Sequence, residues 1–169
     1  MESELKLDEH SNLLGKLHGN LSSLEATLRL FLSHDARARG APHQGDWNRG
    51  IGEEVDETPM TDWRSLGQLI DDFNTISGRR DLGVVIDRGI VAIRDAFAHG
   101  RIILHEGDAD MRLVKFSRPV RGRVKVEFNQ LLTADWLGEQ IRRARDAMFS
   151  VPNAIEAIGG TVGRQAEGE

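Results

Sequence analysis

An arginine, an aspartate and a histidine occur within six residues of each other, as Arg94, Asp95 and His99, and Gly100 follows them. Histidine is the side chain whose ordinary pKa lies near neutrality, so it can accept or donate a proton at working pH. Arginine presents a planar fork of donors that fits a phosphate group. The set therefore combines an anion binder, a carboxylate and a proton-transfer group.

These residue types suit the cleavage of an RNA phosphodiester. Arg94 would hold the phosphate and offset the charge that grows on its oxygens. His99 would act as general base or acid toward a 2′-hydroxyl or the leaving oxygen, and Asp95 would orient the imidazole. No metal ion is needed, because the RNA hydroxyl is the nucleophile. A plainer interpretation stays open: the last turn of any helix favours Arg and His, and an i, i+4 pair of Asp and His can simply support a helix surface.

A helix that ends at His99 must position this set. Asp95 and His99 lie nearly opposite its apolar stripe, beside Arg88 and Ala92. In a single copy that face would point at solvent, so we expect a long loop, a hairpin or a second copy of the chain to cover it. Arg101, just past the motif, is a further candidate for binding a phosphate. The stripe itself is formed by Ile86, Ile90, Ile93 and Phe97.

The apolar periodicity predicts an all-α fold: a four-helix bundle with an inserted two-stranded β-hairpin before the last long helix. Thr58 or Thr61 is expected to cap the second helix and Thr133 the last, and Pro152 is expected to kink or end the last helix. The helices are predicted at about 8–34, 62–77, from 82 or 84 to 99, and from 134 to about 152.

The β-hairpin is predicted over 111–128, where apolar residues alternate strictly at its second strand. Residues 36–60 have no such period and predict a long loop, in which Trp47 is the largest apolar residue. We expect a single helical domain over 1–158, followed by a flexible tail over 159–169.

The composition is typical of a globular protein and excludes several classes of chemistry. The chain has 169 residues, of which 39% are hydrophobic and 29% charged. It has no cysteine, which excludes disulfides, thiolate nucleophiles and zinc–thiolate sites. No apolar run approaches the roughly 20 residues of a membrane span, and the acidic N-terminus is unlike a signal peptide. We therefore expect a cytoplasmic protein with no membrane partner.

The charge is unevenly distributed along the chain. The formal net charge is −5, which argues against a protein that coats nucleic acid without specificity. Residues 111–126 nevertheless carry six basic residues and no acidic one. Such a patch can guide an anionic substrate, although it also fits a solvated face.

No other set of residues forms a recognisable site. The acidic pairs at 53–54 and 71–72 fit a solvated surface better than a catalytic dyad, and the two glycines at 50 and 52 lack the strand and helix of a phosphate-binding loop. The remaining histidines do not show the spacing of metal ligands. We therefore predict neither a metal site nor a cofactor. Those histidines are His10, His18, His34, His43 and His105.

The run Arg94-Asp95-Ala96-Phe97-Ala98-His99 resembles the R-x(4–6)-H signature of the HEPN superfamily, which often has a polar residue directly after the arginine. The Ala-His-Gly ending is also typical of many bacterial members, and the helical pattern agrees with the family's helical bundle. The signature covers six residues, and the rest of the chain matches no particular subfamily.

This resemblance implies a metal-independent endoribonuclease that acts on RNA. Arg94 and His99 would be the catalytic pair and Asp95 the polar helper, in a composite site formed by a homodimer. Many members belong to toxin–antitoxin or other defence systems, which implies an antitoxin or another protein as a further partner. Other members are inactive, so a catalytically inactive dimeric binding or regulatory module is the alternative, and a helical protein with a coincidental motif is a third.

Overall fold

The computed structural model describes residues 2–41, 49–104 and 110–159, with side chains from residue 8 onward. Trp47, His43, His105 and the predicted tail from residue 160 lie outside the described residues. The described ranges contain four helices and three strands. The helices are α1 (Glu2–Ala38), α2 (Leu66–Arg79), α3 (Gly89–His99) and α4 (Ala134–Ala157), and the strands are β1 (Arg101–Ile103), β2 (Arg112–Phe116) and β3 (Val126–Leu131).

The expectation of a chain rich in helix is confirmed, but the predicted fold class is wrong in its β-structure. The strands follow α3 and form an antiparallel sheet in the order β1-β2-β3, not a two-stranded hairpin inserted in an all-α bundle. In β1, Arg101 pairs with Val114 and Ile103 with Arg112. A strand of three residues is too short to show a period of two, so its pairing with β2 defines it rather than its own pattern.

The helix ends also differ from the sequence prediction. Ser65, rather than Thr58 or Thr61, caps α2: its hydroxyl accepts from the backbone N–H of Gln68, and the Gln68 side chain accepts from the backbone N–H of Ser65. The last helix continues through Pro152 to Ala157 instead of ending there. None of the helices in the described ranges is long and apolar enough to cross a bilayer.

The described residues divide into two compact units, of which the first comprises residues up to 22 together with 87–145. In this unit Asn20 of α1 donates a hydrogen bond to the backbone oxygen of Ile141 in α4, at 3.3 Å. The rings of Phe128 in β3 and Trp136 in α4 meet edge to face, with centroids 6.5 Å apart. Its buried apolar residues include Leu17, Leu21, Ile90, Ile93, Ala96, Leu113, Val114, Leu137 and Ala144.

The second unit comprises residues 23–86 and those from 146 onward. Phe31 of α1 and Phe73 of α2 are fully buried and meet edge to face at 4.7 Å between ring centroids. The Asn74 side chain exchanges two hydrogen bonds of 2.9 Å with the backbone of Ile86. These bonds fix the segment after α2 against that helix.

Arg29 of α1 holds an irregular segment of the second unit in place. Its guanidinium donates to the backbone oxygens of Pro59 and Arg64, at 3.0 and 2.8 Å, and to the carboxylate of Asp62 at 2.9 Å. The segment that precedes α2 is therefore ordered by hydrogen bonds to one side chain, while Trp63 within it is almost fully exposed.

Candidate functional site

The helix that carries the Arg94–His99 motif is fixed at its start by Asp87. The Asp87 carboxylate accepts from the backbone N–H of Gly89 at 2.8 Å and from Arg143 of α4 at 2.5 Å. The hydrogen bond from Gly89 is the main cause that lowers the pKa of Asp87, and the contact with Arg143 lowers it further. An ionised carboxylate at this place also suits the positive end of the helix dipole.

The other end of α3 is fixed by a close approach to the sheet. His99 is the last helical residue, and the backbone N–H of Gly100 donates to the oxygen of Ala96 at 2.7 Å. A Cβ atom at Gly100 would lie 2.9 Å from a methyl carbon of Leu113 and 3.0 Å from the backbone oxygen of Val114. Glycine is required here because the added Cβ would lie 2.3 Å from the backbone oxygen of Ala96 and would also crowd β2.

Along α3, the buried and exposed residues follow the predicted face. Ile90 and Ile93 are buried, together with Ala96, while Phe97 is half-buried. The opposite side contains Arg88, Ala92 and His99, all exposed, and the half-exposed Asp95.

His99 and Arg101 line one shallow groove of about 390 Å³. The guanidinium carbon of Arg101 lies 5.7 Å from the centre of the Phe116 ring, which is the geometry of a cation–π contact. The described lining is completed by Phe116, Ser117, Pro119 and Val124. An imidazole, a guanidinium and an apolar wall thus share one surface.

Arg94 and Asp95 contact each other rather than this groove. The Nη1 atom of Arg94 lies 3.6 Å from Oδ1 of Asp95, and their side chains are 35% and 40% exposed. Neither is among the described residues that line the groove, and no hydrogen bond joins Asp95 to His99 in the described part of the chain. Of the four predicted site residues, the structure brings together His99 with Arg101, and Arg94 with Asp95.

The sequence interpretation missed the apolar wall of the groove. The sequence places Phe116, Pro119 and Val124 in the predicted hairpin and indicates no role for them beside His99, whereas all three line its groove. The alternating pattern predicted strands in the region of β2 and β3 but not β1. It could not show which strand face meets the end of α3, because that depends on the pairing of β1 with β2.

The Glu127 carboxylate neutralises part of the basic patch, because it lies 3.2 Å from the ammonium group of Lys115. Arg112 donates instead to the neutral side chain of Asn129, at 2.9 Å. The basic residues between β2 and β3 are exposed: Arg118, Arg121, Arg123 and Lys125. Among the side chains that the structure describes, no three of the metal-ligating types gather as a metal site would require.

No family model matches the chain, and no curated protein and no solved structure matches it either. The resemblance to the HEPN superfamily therefore remains a prediction from the six-residue motif.

Proposed function

We propose that this chain is a metal-independent endoribonuclease of the HEPN type, in which His99 transfers protons and Arg94 binds the scissile phosphate. The observation that carries the proposal is the place of His99: it is exposed at the end of α3, on a groove that it shares with the cationic Arg101. A polyanionic strand can reach an imidazole in that position.

The proposed reaction is attack of the RNA 2′-hydroxyl on its neighbouring phosphate, which requires neither a metal nor a cofactor. His99 would accept the proton of a 2′-hydroxyl as the 2′-oxygen forms a bond to phosphorus. The bond from phosphorus to the 5′-oxygen breaks, and that oxygen takes a proton from a second imidazole. The products are a 2′,3′-cyclic phosphate and a 5′-hydroxyl end. Arg94 offsets the charge on the phosphate oxygens in the transition state.

Two copies of the chain meet the requirement for a second imidazole. On one helix, Arg94 and His99 differ by about 140° around the axis and by roughly 7.5 Å along it, so they do not face one phosphate together. A second copy against the exposed side of α3, where the small side chain of Ala92 permits a close approach, would bring the two His99 imidazoles together. Arg94 would reach the phosphate from the flank of the helix.

A catalytically inactive dimeric binding module is the second candidate, and the Arg94–Asp95 contact favours it. Asp95 engages Arg94 instead of orienting His99, and half of the groove wall is apolar. A module of this kind would bind RNA or a protein such as an antitoxin at the same surface. It would keep dimerisation and lose cleavage.

The test is cleavage of an end-labelled RNA with and without EDTA. We expect His99→Ala and Arg94→Ala each to lower the rate by about 10²–10⁴-fold, as loss of an acid–base group or a phosphate contact does. His18→Ala and Arg37→Ala remove the same residue types from exposed positions of α1 and serve as matched controls. Wild-type protein that cleaves no RNA in either condition would leave the binding module as the better proposal.

Mixing wild-type protein with an excess of His99→Ala, after subunit exchange, tests the composite site. A mixed dimer has one imidazole instead of the two that the mechanism uses, so cleavage per wild-type chain should fall if the two imidazoles come from different copies. Unchanged cleavage per wild-type chain would contradict the two-copy site.

A further inference from the structure

The segment between β2 and β3, residues 117–125, forms a short ordered ribbon that we name the β2–β3 arm. The backbone N–H of Ser117 donates to the backbone oxygen of Lys125 at 2.8 Å, and Val120 and Arg123 exchange backbone hydrogen bonds of 2.8 and 3.1 Å. The hydroxyl of Ser117 accepts from the backbone N–H of Lys125 at 3.0 Å. These bonds hold the two sides of the arm together up to its tip.

The tip of the arm carries an arginine where the backbone favours another residue. Arg121 and Gly122 have φ angles of 51° and 73°, the signs that a type I′ turn requires at its two central positions. Glycine adopts this region freely, and asparagine is preferred before it, whereas arginine is strained there. Residues held in such conformations concentrate at functional sites.

The arm is cationic along its length and leads to His99. It contains Arg118, Arg121, Arg123 and Lys125, all exposed, and no acidic residue. At its base, Ser117, Pro119 and Val124 line the groove of His99. The arm that carries these cations therefore begins at the groove that contains the imidazole.

The base of the arm also offers a flat group on which a nucleobase can stack. The ring of Phe116 is partly exposed in the groove, and the Arg101 guanidinium lies over it. Aromatic rings and guanidinium planes are the usual stacking partners of unpaired bases. Bases within a duplex are already stacked and do not offer a free face.

We propose that the β2–β3 arm binds single-stranded RNA, with phosphates along its arginines and a base against Phe116 and Arg101. The nature of this ligand rests on the proposed function. A two-stranded ribbon also fits the major groove of duplex DNA, whereas the major groove of duplex RNA is too narrow to admit it. Duplex DNA is therefore the competitor to be tested.

The variant Arg121→Asn separates binding from folding. Asparagine is favoured at this position of the turn, so the arm stays formed while one cation is lost. The probe is a labelled 12-nucleotide 2′-O-methyl RNA, which lacks the nucleophile and is not cleaved. We expect Arg121→Asn with Arg123→Ala to weaken binding by tenfold or more, and to reduce the slope of log affinity against log salt by about 1.4, that is about 0.7 for each charge. Phe116→Ala is expected to weaken binding of the same probe at every salt concentration.

The control removes the same number of charges elsewhere. Arg37→Ala with Arg49→Ala takes two exposed arginines from the second unit and is expected to leave RNA affinity within twofold. Equal weakening in this control, unchanged binding in the arm variant, or tighter binding of duplex DNA than of the single strand would each overturn the proposal.

RNA binding by the arm and RNA cleavage by the wild type can be tested independently. If the arm variant loses RNA binding and the wild type cleaves no RNA, RNA binding by the arm is supported and the ribonuclease function is contradicted. If the wild type cleaves RNA and the arm variant cleaves it with an unchanged KM, the ribonuclease function is supported and RNA binding by the arm is contradicted.

Discussion

Arg94 and Asp95 contact each other on the surface of α3, with 3.6 Å between Nη1 and Oδ1. The helical spacing would equally allow Asp95 to meet His99, which lies one turn further along the same face. Both side chains of the observed pair are more than a third exposed, so their contact contributes little to stability. Its consequence is that the Asp95 carboxylate lies beside Arg94, whereas the imidazole of His99 lies in the groove.

Asp95→Asn is therefore expected to change RNA cleavage far less than His99→Ala. Loss of a weak, exposed ion pair alters the rate by about fivefold or less, against about 10²–10⁴-fold for an acid–base group. Initial cleavage rates of the two variants decide this, with Glu139→Gln, an exposed acid of α4, as the control. A loss in Asp95→Asn as large as that in His99→Ala would show that Asp95 acts on the imidazole.

The sequence was sufficient to predict the end of α3 at His99, because the helix has an apolar stripe and a glycine directly after it. The predicted start at 82 or 84 was wrong, since the helix begins only at Gly89. The sequence was insufficient for the groove, because the residues around His99 come from strands whose faces are set by pairing. Arg101 meets Val114 across the sheet, and this register alone brings Phe116 under the Arg101 guanidinium. The turn at Arg121 was also unforeseen, since arginine is not a residue that signals a type I′ turn.

Gly100→Ala is expected to lower the free energy of unfolding by about 1–3 kcal/mol. A Cβ atom there would lie 2.3 Å from the backbone oxygen of Ala96 and 3.0 Å from that of Val114, so backbone has to move. Urea unfolding measures the change. The control is Gly78→Ala in α2, where nothing lies within 4 Å of the added atom and a stabilisation of about 0.5–1 kcal/mol is expected. Equal stability of the wild type and Gly100→Ala would contradict the crowding of Gly100 by Ala96 and β2.

Asp62 is expected to make stability depend on pH in the acid range. Burial would raise the pKa of its carboxyl, but hydrogen bonds from Arg64 and Arg29 outweigh burial and lower that pKa. A carboxylate whose folded pKa lies below its unfolded value of about 3.9 stabilises the fold above that pH, and the stabilisation is lost as the pH falls through the folded pKa.

Asp62→Asn should accordingly lower the free energy of unfolding by about 2 kcal/mol at neutral pH, because Arg29 and Arg64 lose an ionised partner. The difference from the wild type should shrink as the pH falls below about 4. Urea unfolding at several pH values between 7 and 3 measures both effects. Asp56→Asn removes an exposed acid from the same segment and should show neither effect. A difference that stays constant with pH would mean that the Asp62 charge does not stabilise the fold.

Asp87 and Arg143 fix the start of α3, the helix that ends at His99. Asp87→Asn should lower the free energy of unfolding by about 1 kcal/mol, because the side chain then makes a weaker hydrogen bond with the Gly89 N–H. The direct coupling to Arg143 should be smaller than about 1 kcal/mol, since the Asp87 side chain is 66% exposed and water screens the pair. A double-mutant cycle with Arg143→Ala, repeated at high salt, measures that coupling and should find it weaker in salt. RNA cleavage by Asp87→Asn should stay within twofold of the wild type, because Asp87 lies at the opposite end of α3 from the imidazole. A coupling above about 2 kcal/mol would mean that water does not screen the pair. Loss of cleavage in Asp87→Asn would mean that this contact, rather than the packing of Gly100 on β2, positions His99.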